Sequence, residues 1–162
     1  MLKISRLADY AVVILVTLGG QEGVVTSPFL ATQTGVPEPT VAKVLKMLAS
    51  GGLVTSQRGA RGGYRLSRPL SEISVASVIM TVDGPIALTA CVDGGECDAG
   101  VSCRMCGSWD AMNSAIRDAL EKISLDVMQN SRSKEFVISA FSGNEMPTKT
   151  MRQCGGSEQC RQ

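Results

Sequence analysis

Histidine is missing from all 162 residues. Any metal site in this chain must therefore be built from thiolates, carboxylates or other non-histidine groups. Long apolar runs are missing as well. The longest, "YAVVILVTLGG" from Tyr10, holds about eight strongly apolar residues before two glycines, far short of the roughly 20 that cross a bilayer. No membrane span is expected. Lys3 and Arg6 precede that run, as basic residues do in an export signal, but Asp9 stands at its edge and no small-residue cleavage site follows. The stretch is read instead as a first helix capped by Ser5. With no export signal the chain is expected to be cytoplasmic, where clustered cysteines are more often metal ligands or redox groups than disulfides. No general base, nucleophile pair or substrate pocket is evident, so an enzyme is not expected.

The content that remains, 44% hydrophobic residues, suffices for one compact domain or a small domain with an oligomerisation element. The net charge of +1 conceals two unlike halves. Residues 1–70 carry eight Lys or Arg against three acids, a balance of +5, whereas residues 71–129 carry three against nine, a balance of −6. A polyanion is a natural partner for the first half. Two solvated surfaces of opposite sign are the plainer alternative.

The basic half holds two short helices. Ser27 is placed to cap a helix with Pro28 in its first turn, ending at Gly35. A second helix starts near Pro39 or Thr40, with Val41, Val44, Leu45 and Leu48 on one face, and closes at Gly51-Gly52. Thr40, Lys43 and Lys46 or Met47 are left outward. Two helices joined by a tight glycine turn can set the second in a DNA major groove. The next segment, "LVTSQRGARGGYRLSRP", reads as strand, arginine-glycine turn, strand, with strands at 53–56 and 64–67. That is a wing, and Arg58 at its tip suits a narrow minor groove. The candidate DNA-facing residues are Ser27, Pro39, Thr40, Lys43, Lys46, Arg58, Gly59, Arg61 and Tyr64. Thr40 and Lys43 are expected at base edges, and Lys46 and Arg61 on phosphates. An ordinary solvated hairpin is the alternative, which the preceding helix pair and the +5 balance disfavour.

A short helix follows over about 74–82, stopped by Asp83-Gly84-Pro85. Farther on, Trp109, Met112, Ile116, Ala119 or Leu120, Ile123 and Val127 fall at steps of three and four. They predict one long helix with an apolar seam, and a second copy of the chain is the economical way to cover it. A helix folded back on its own domain is the alternative. The expected fold is mainly α with a small β-hairpin, a winged helix-turn-helix plus a long C-terminal dimerisation helix. Its parts are a DNA-binding domain at 1–83, a cysteine-rich cluster-binding loop at 84–107, the dimerisation helix at 108–130 and a flexible tail at 131–162.

Four of the six cysteines lie within "CVDGGECDAGVSCRMC". Cys91, Cys97, Cys103 and Cys106 have the spacing C-x5-C-x5-C-x2-C in a glycine-rich loop able to wrap around a ligand. Structural zinc sites usually pair cysteines in two short knuckles, and only the last pair here has that form. Iron–sulfur clusters tolerate irregular spacing. The order of preference is iron–sulfur, then zinc, then a redox thiol group. Cys154 and Cys160 repeat the five-residue spacing in the tail and are read as thiols without a role, a cluster-transfer or redox role being the alternative.

The joint pattern of "ISRLADYAV", the helix-turn-helix, "SQRGARGGYRL", "VIMTVDGP", the C-x5-C-x5-C loop and the following tryptophan resembles the IscR and NsrR group of winged-helix iron–sulfur regulators over residues 1 to about 130. The resemblance implies a homodimeric bacterial transcription factor, bound to double-stranded promoter DNA, whose cluster alters that binding. IscR-like members hold a 2Fe-2S cluster with three cysteines, which correspond to Cys91, Cys97 and Cys103, and a histidine whose place Cys106 takes here. NsrR-like members sense nitric oxide through a 4Fe-4S cluster held by three cysteines and an N-terminal aspartate of the other subunit, near whose place Asp9 stands. The 2Fe-2S form is favoured. "CRMCGSW" looks most like the subgroup that regulates Suf cluster-assembly genes. An electron-transfer or cluster-carrier protein would account for the thiols but not for the basic winged helix.

Overall fold

A computed structural model describes residues 3–59, 61–92 and 107–130. Ser5 opens helix α1 (Arg6–Gly19) as the sequence predicts: its Oγ accepts from the Ala8 N–H at 3.0 Å, satisfying one of the free amides of the first turn. The same hydroxyl donates to Asp83 Oδ1 at 2.8 Å, which ties the start of α1 to the end of a later helix. Ala11, Ile14, Leu15 and Leu18 of α1 are buried.

Helix α2 (Ser27–Thr34) has its proline in the first turn, but Thr26 rather than Ser27 occupies the cap position. The reason is that helical bonding begins one residue early, with the Leu30 N–H donating to the Thr26 carbonyl at 3.1 Å. Gly35 ends α2 in the left-handed region, at φ 70°. Helix α3 (Glu38–Ser50) follows, its first bonds running from Thr40 and Val41 to the Pro37 carbonyl at 2.9 and 3.0 Å. Val41, Val44, Leu45 and Leu48 are all buried, so the face read from their spacing is the one that packs.

Strands β1 (Val54–Gln57) and β2 (Gly63–Leu66) form an antiparallel hairpin. Each lies one residue from its expected position. Leu53 is withheld from β1 because it completes the cap of α3: its N–H donates to the Leu48 carbonyl at 2.9 Å, the Gly52 N–H donates to the Ala49 carbonyl at 3.1 Å, and Gly52 has φ 71°. This is a Schellman ending, and it fixes where the hairpin leaves the helix. β2 also pairs with the turn before α2, through Val25 N–H to the Tyr64 carbonyl at 2.9 Å and Tyr64 N–H to the Val25 carbonyl at 2.7 Å.

After a 3-10 turn at Leu70–Glu72, helix α4 (Val75–Asp83) is capped by Ser74, whose Oγ accepts from the Ser77 N–H at 3.1 Å. The single helix expected over 108–130 is in fact two, α5 (Asp110–Glu121) and α6 (Leu125–Asn130). The break arises because residues 123–125 pair with 73–75 instead of with their own helix. The Val75 N–H donates to the Ile123 carbonyl and the Leu125 N–H to the Ile73 carbonyl, both at 2.9 Å. Leu125 is fully buried by this step. One apolar core results, built from α1 to α4 and β1 and reaching Leu125, with Leu120 and Ile123 packed against it.

Candidate nucleic-acid interface and cysteine segment

Because one face of α3 is consumed by the core, its other face is presented outward. Pro39, Lys43 and Lys46 are exposed and Thr40 is half-buried. Met47, the alternative to Lys46, turns instead toward the core. Ser27 lies half-buried in the first turn of α2.

The wing carries Arg58, Gly59 and Arg61, all exposed, on a turn closed by the Gly62 N–H donating to the Gly59 carbonyl at 2.8 Å. Gly59 has φ 115°, which a side chain would strain. Farther along β2, Arg65 points to solvent opposite Thr55, while Tyr64 is half-buried and packs on the core. Arg65 and Arg68 stand outside the residues expected from sequence at the DNA. Both are exposed and extend the basic surface along the hairpin. Their signal was the +5 balance itself.

The wing is held in place by backbone, and Gly63 makes that possible. A Cβ at Gly63 would lie 2.4 Å from the Val25 carbonyl oxygen. Since the obstruction is main chain, Gly63→Ala must displace either the hairpin or the turn before α2. The expected cost is about 1–3 kcal/mol of unfolding free energy, measured by urea titration. A variant as stable as the parent would show that the Val25 pairing does not hold the wing.

Of the proposed cluster ligands, Cys91 is described; Cys97, Cys103 and Cys106 lie outside the described residues, as do Cys154, Cys160 and the expected tail. Cys91 is half-buried and free of any disulfide, and its Sγ stands 3.2 Å from Thr89 Oγ1. To a thiolate sulfur the hydroxyl can only donate, an arrangement that suits a sulfur bonded to iron or zinc. Asp9, the alternative ligand, is exposed in the first turn of α1.

Trp109 is half-buried just before α5. Met112, Ile116 and Ala119 form a strip at steps of four and three, with Met112 53% exposed and the other two half-buried. Leu120 and Ile123 back onto the chain's own core, and Val127 is half-buried in α6. Asn113 is the one residue the sequence gave no reason to notice. It is buried between α5 and the segment leading to Cys91, where its Oδ1 accepts from the Leu88 N–H at 3.0 Å and its Nδ2 donates to the Ile86 carbonyl at 2.9 Å. No helix among the described residues is long and apolar enough to cross a membrane.

Comparison with known proteins adds four findings. The family model named Rrf2, iron-dependent transcriptional regulator, matches residues 4–131. The IscR transcriptional regulator of Photorhabdus laumondii is 32% identical over 133 residues, covering 81% of this chain and 81% of its own. A Mycobacterium tuberculosis protein, provisionally called an HTH-type transcriptional regulator, is 34% identical over 127 residues, covering 76% and 79%. Among solved structures, IscR of T. potens superposes with a TM-score of 0.61 at 27% identity, over 82% of this chain and 89% of that one.

Proposed function

Since the chain belongs to the Rrf2 family of transcriptional regulators, whose members bind double-stranded DNA, we propose that it is an iron–sulfur-sensing regulator. In this reading it binds promoter DNA as a homodimer and controls cluster-assembly genes. The observation that carries the reading is the placement of Cys91. Its segment is fastened to α5, α5 packs on α4, and α4 packs on α3, which offers Lys43 and Lys46 outward. A change at the cysteines therefore has a packed route to the DNA-facing helix.

Cys91, Cys97, Cys103 and Cys106 are the residues that would hold the cluster. Four thiols without a histidine in the chain suit an iron–sulfur centre, and Cys91, unpaired and beside a hydroxyl, has the surroundings of a ligand. When bound, a cluster supplies a rigid cross-link among thiolates. The remaining work falls to the protein. The strip Met112, Ile116 and Ala119, exposed at Met112 and half-buried at the other two, is the natural seat for the second copy, which would set two α3 helices against successive major grooves. A coupling of about 1–3 kcal/mol between cysteine loop and α3 corresponds to a roughly five- to 150-fold change in DNA affinity. The likeness of "CRMCGSW" to the Suf-regulating subgroup is the support for the target genes.

Anaerobic purification tests the cofactor. A brown protein with visible absorption and matched iron and sulfide supports the reading, whereas a colourless protein containing zinc replaces it with a zinc-stabilised DNA-binding module. The wing has its own test. Arg58 enters the minor groove in this account, so Arg58→Ala should lower operator affinity by about 1–3 kcal/mol at physiological salt. By contrast, removing Lys46 or Arg61 should weaken binding to all sequences alike and reduce the salt slope by about one per site lost. Undiminished operator affinity of the Arg58→Ala protein would remove the wing from the interface.

A further inference from the structure

Asn113 is 1% exposed and is the single buried polar or charged residue among those described. Such a side chain is retained in a core only when its polar atoms are satisfied, and here both are spent on one short stretch of backbone. Within 85–92, the backbone–backbone bonding among described residues is limited to the Val92 N–H donating to the Thr89 carbonyl at 3.3 Å. No helix or strand covers residues 85–91. The Asn113 carboxamide substitutes for the missing ladder, with its carbonyl on the Leu88 N–H and its NH2 on the Ile86 carbonyl. Three residues after Leu88 comes Cys91.

We propose that Asn113 is a positioning residue for the cysteine segment, one that clamps Ile86–Leu88 to α5 and so fixes where the Cys91 thiol stands relative to that helix. The clamp explains why a polar residue is the buried one in α5. It also couples α5 to the segment that carries Cys91, because one side chain holds both. In its consequence for cluster binding the proposal rests on the function proposed above. In its structural claim it does not.

Two variants of the full chain test it. Asn113→Leu keeps the branched shape and the number of side-chain heavy atoms and removes both hydrogen bonds; Asn113→Asp keeps the acceptor facing Leu88 and removes the donor to Ile86. For cluster-free protein, hydrogen–deuterium exchange and the rate of Cys91 alkylation are read by mass spectrometry. In Asn113→Leu, exchange across 85–92 and alkylation should accelerate about tenfold or more, while exchange in α1 and α3 is unchanged. Asn113→Asp, which sets a buried carboxylate oxygen against the Ile86 carbonyl, should accelerate both at least as much. In reconstituted protein, Asn113→Leu should lose its visible absorption to an iron chelator about 10–100 times faster than the parent, the range seen when groups that orient metal ligands are removed. Parental exchange and alkylation in both variants would overturn the proposal, and so would global unfolding of both, since Asn113 would then serve the core at large. A parent that takes up no cluster while its Asn113 variants still show the local exchange change would sink the cluster reading and leave the clamp standing.

Discussion

Serine at Cys91, Cys97, Cys103 or Cys106 is expected to abolish stable cluster binding, so that each variant purifies anaerobically with little visible absorption and little bound iron or sulfide. In a chain without histidine no imidazole can stand in for a lost thiolate, and a serine hydroxyl is a poor ligand for iron beside soft sulfur donors. Each cysteine should therefore be needed. The effect is large because an incomplete cluster exposes an open iron position to water and oxygen. DNA binding need not vanish with the cluster, for among the described residues the core that shapes α3 and the wing does not include Cys91. Far-UV circular dichroism should thus remain that of the parent. A Cys106→Ser protein with a full and equally stable cluster, set beside an Asp9→Ala protein that has lost it, would show that the aspartate and not the fourth thiol completes the site.

The second large effect is expected at α5. Met112, Ile116 and Ala119 present an apolar strip whose leading residue is half-exposed in the single chain. If a second copy covers it, Met112→Asp with Ile116→Asp would bury carboxylates without partners in the seam, at a cost of about 3–5 kcal/mol or more. Ile123 is a poor choice for this test, because it packs on its own core and an aspartate there would unfold the chain. The double variant should sediment as a monomer with a parental circular dichroism spectrum. With one recognition helix instead of two, its operator affinity should drop toward the non-specific level, about a thousandfold or more below the parent. A double variant that remains dimeric and binds the operator normally would place the interface elsewhere.

The winged helix was legible because its signals are local. Val41, Val44, Leu45 and Leu48 recur at helical steps and all face the core, and Ser5 caps the helix it precedes. The strand offset was less visible, since Leu53 is as good a strand former as Val54 and only the Schellman bond to Leu48 assigns it to the helix end. The division of the last helix was hidden by the same periodicity that revealed the others. Ile116, Leu120, Ile123 and Val127 keep helical spacing straight through the break, while its cause, pairing of 123–125 with 73–75, is a contact between residues about fifty positions apart. One local sign was there. Ser124 accepts from the Val127 N–H at 3.4 Å and precedes Asp126 in the first turn of α6, as an N-cap does. Asn113 was illegible for another reason. An asparagine in an amphipathic helix is ordinarily solvated, and its burial depends on an irregular segment 25 residues earlier folding back to receive it.

The central claim is that the state of the cysteine loop sets DNA affinity, and one titration tests it most directly. A duplex selected by the parent protein from a random pool is titrated, under anaerobic conditions and at fixed salt, with reconstituted protein and with the same preparation stripped of iron. The account predicts dissociation constants that differ by about fivefold or more, the lower end of ordinary coupling between two sites. The same duplex should show no such difference with the Cys91→Ser protein. Equal affinities of the loaded and stripped parent would contradict the account, leaving a DNA-binding regulator whose cysteines do not control it.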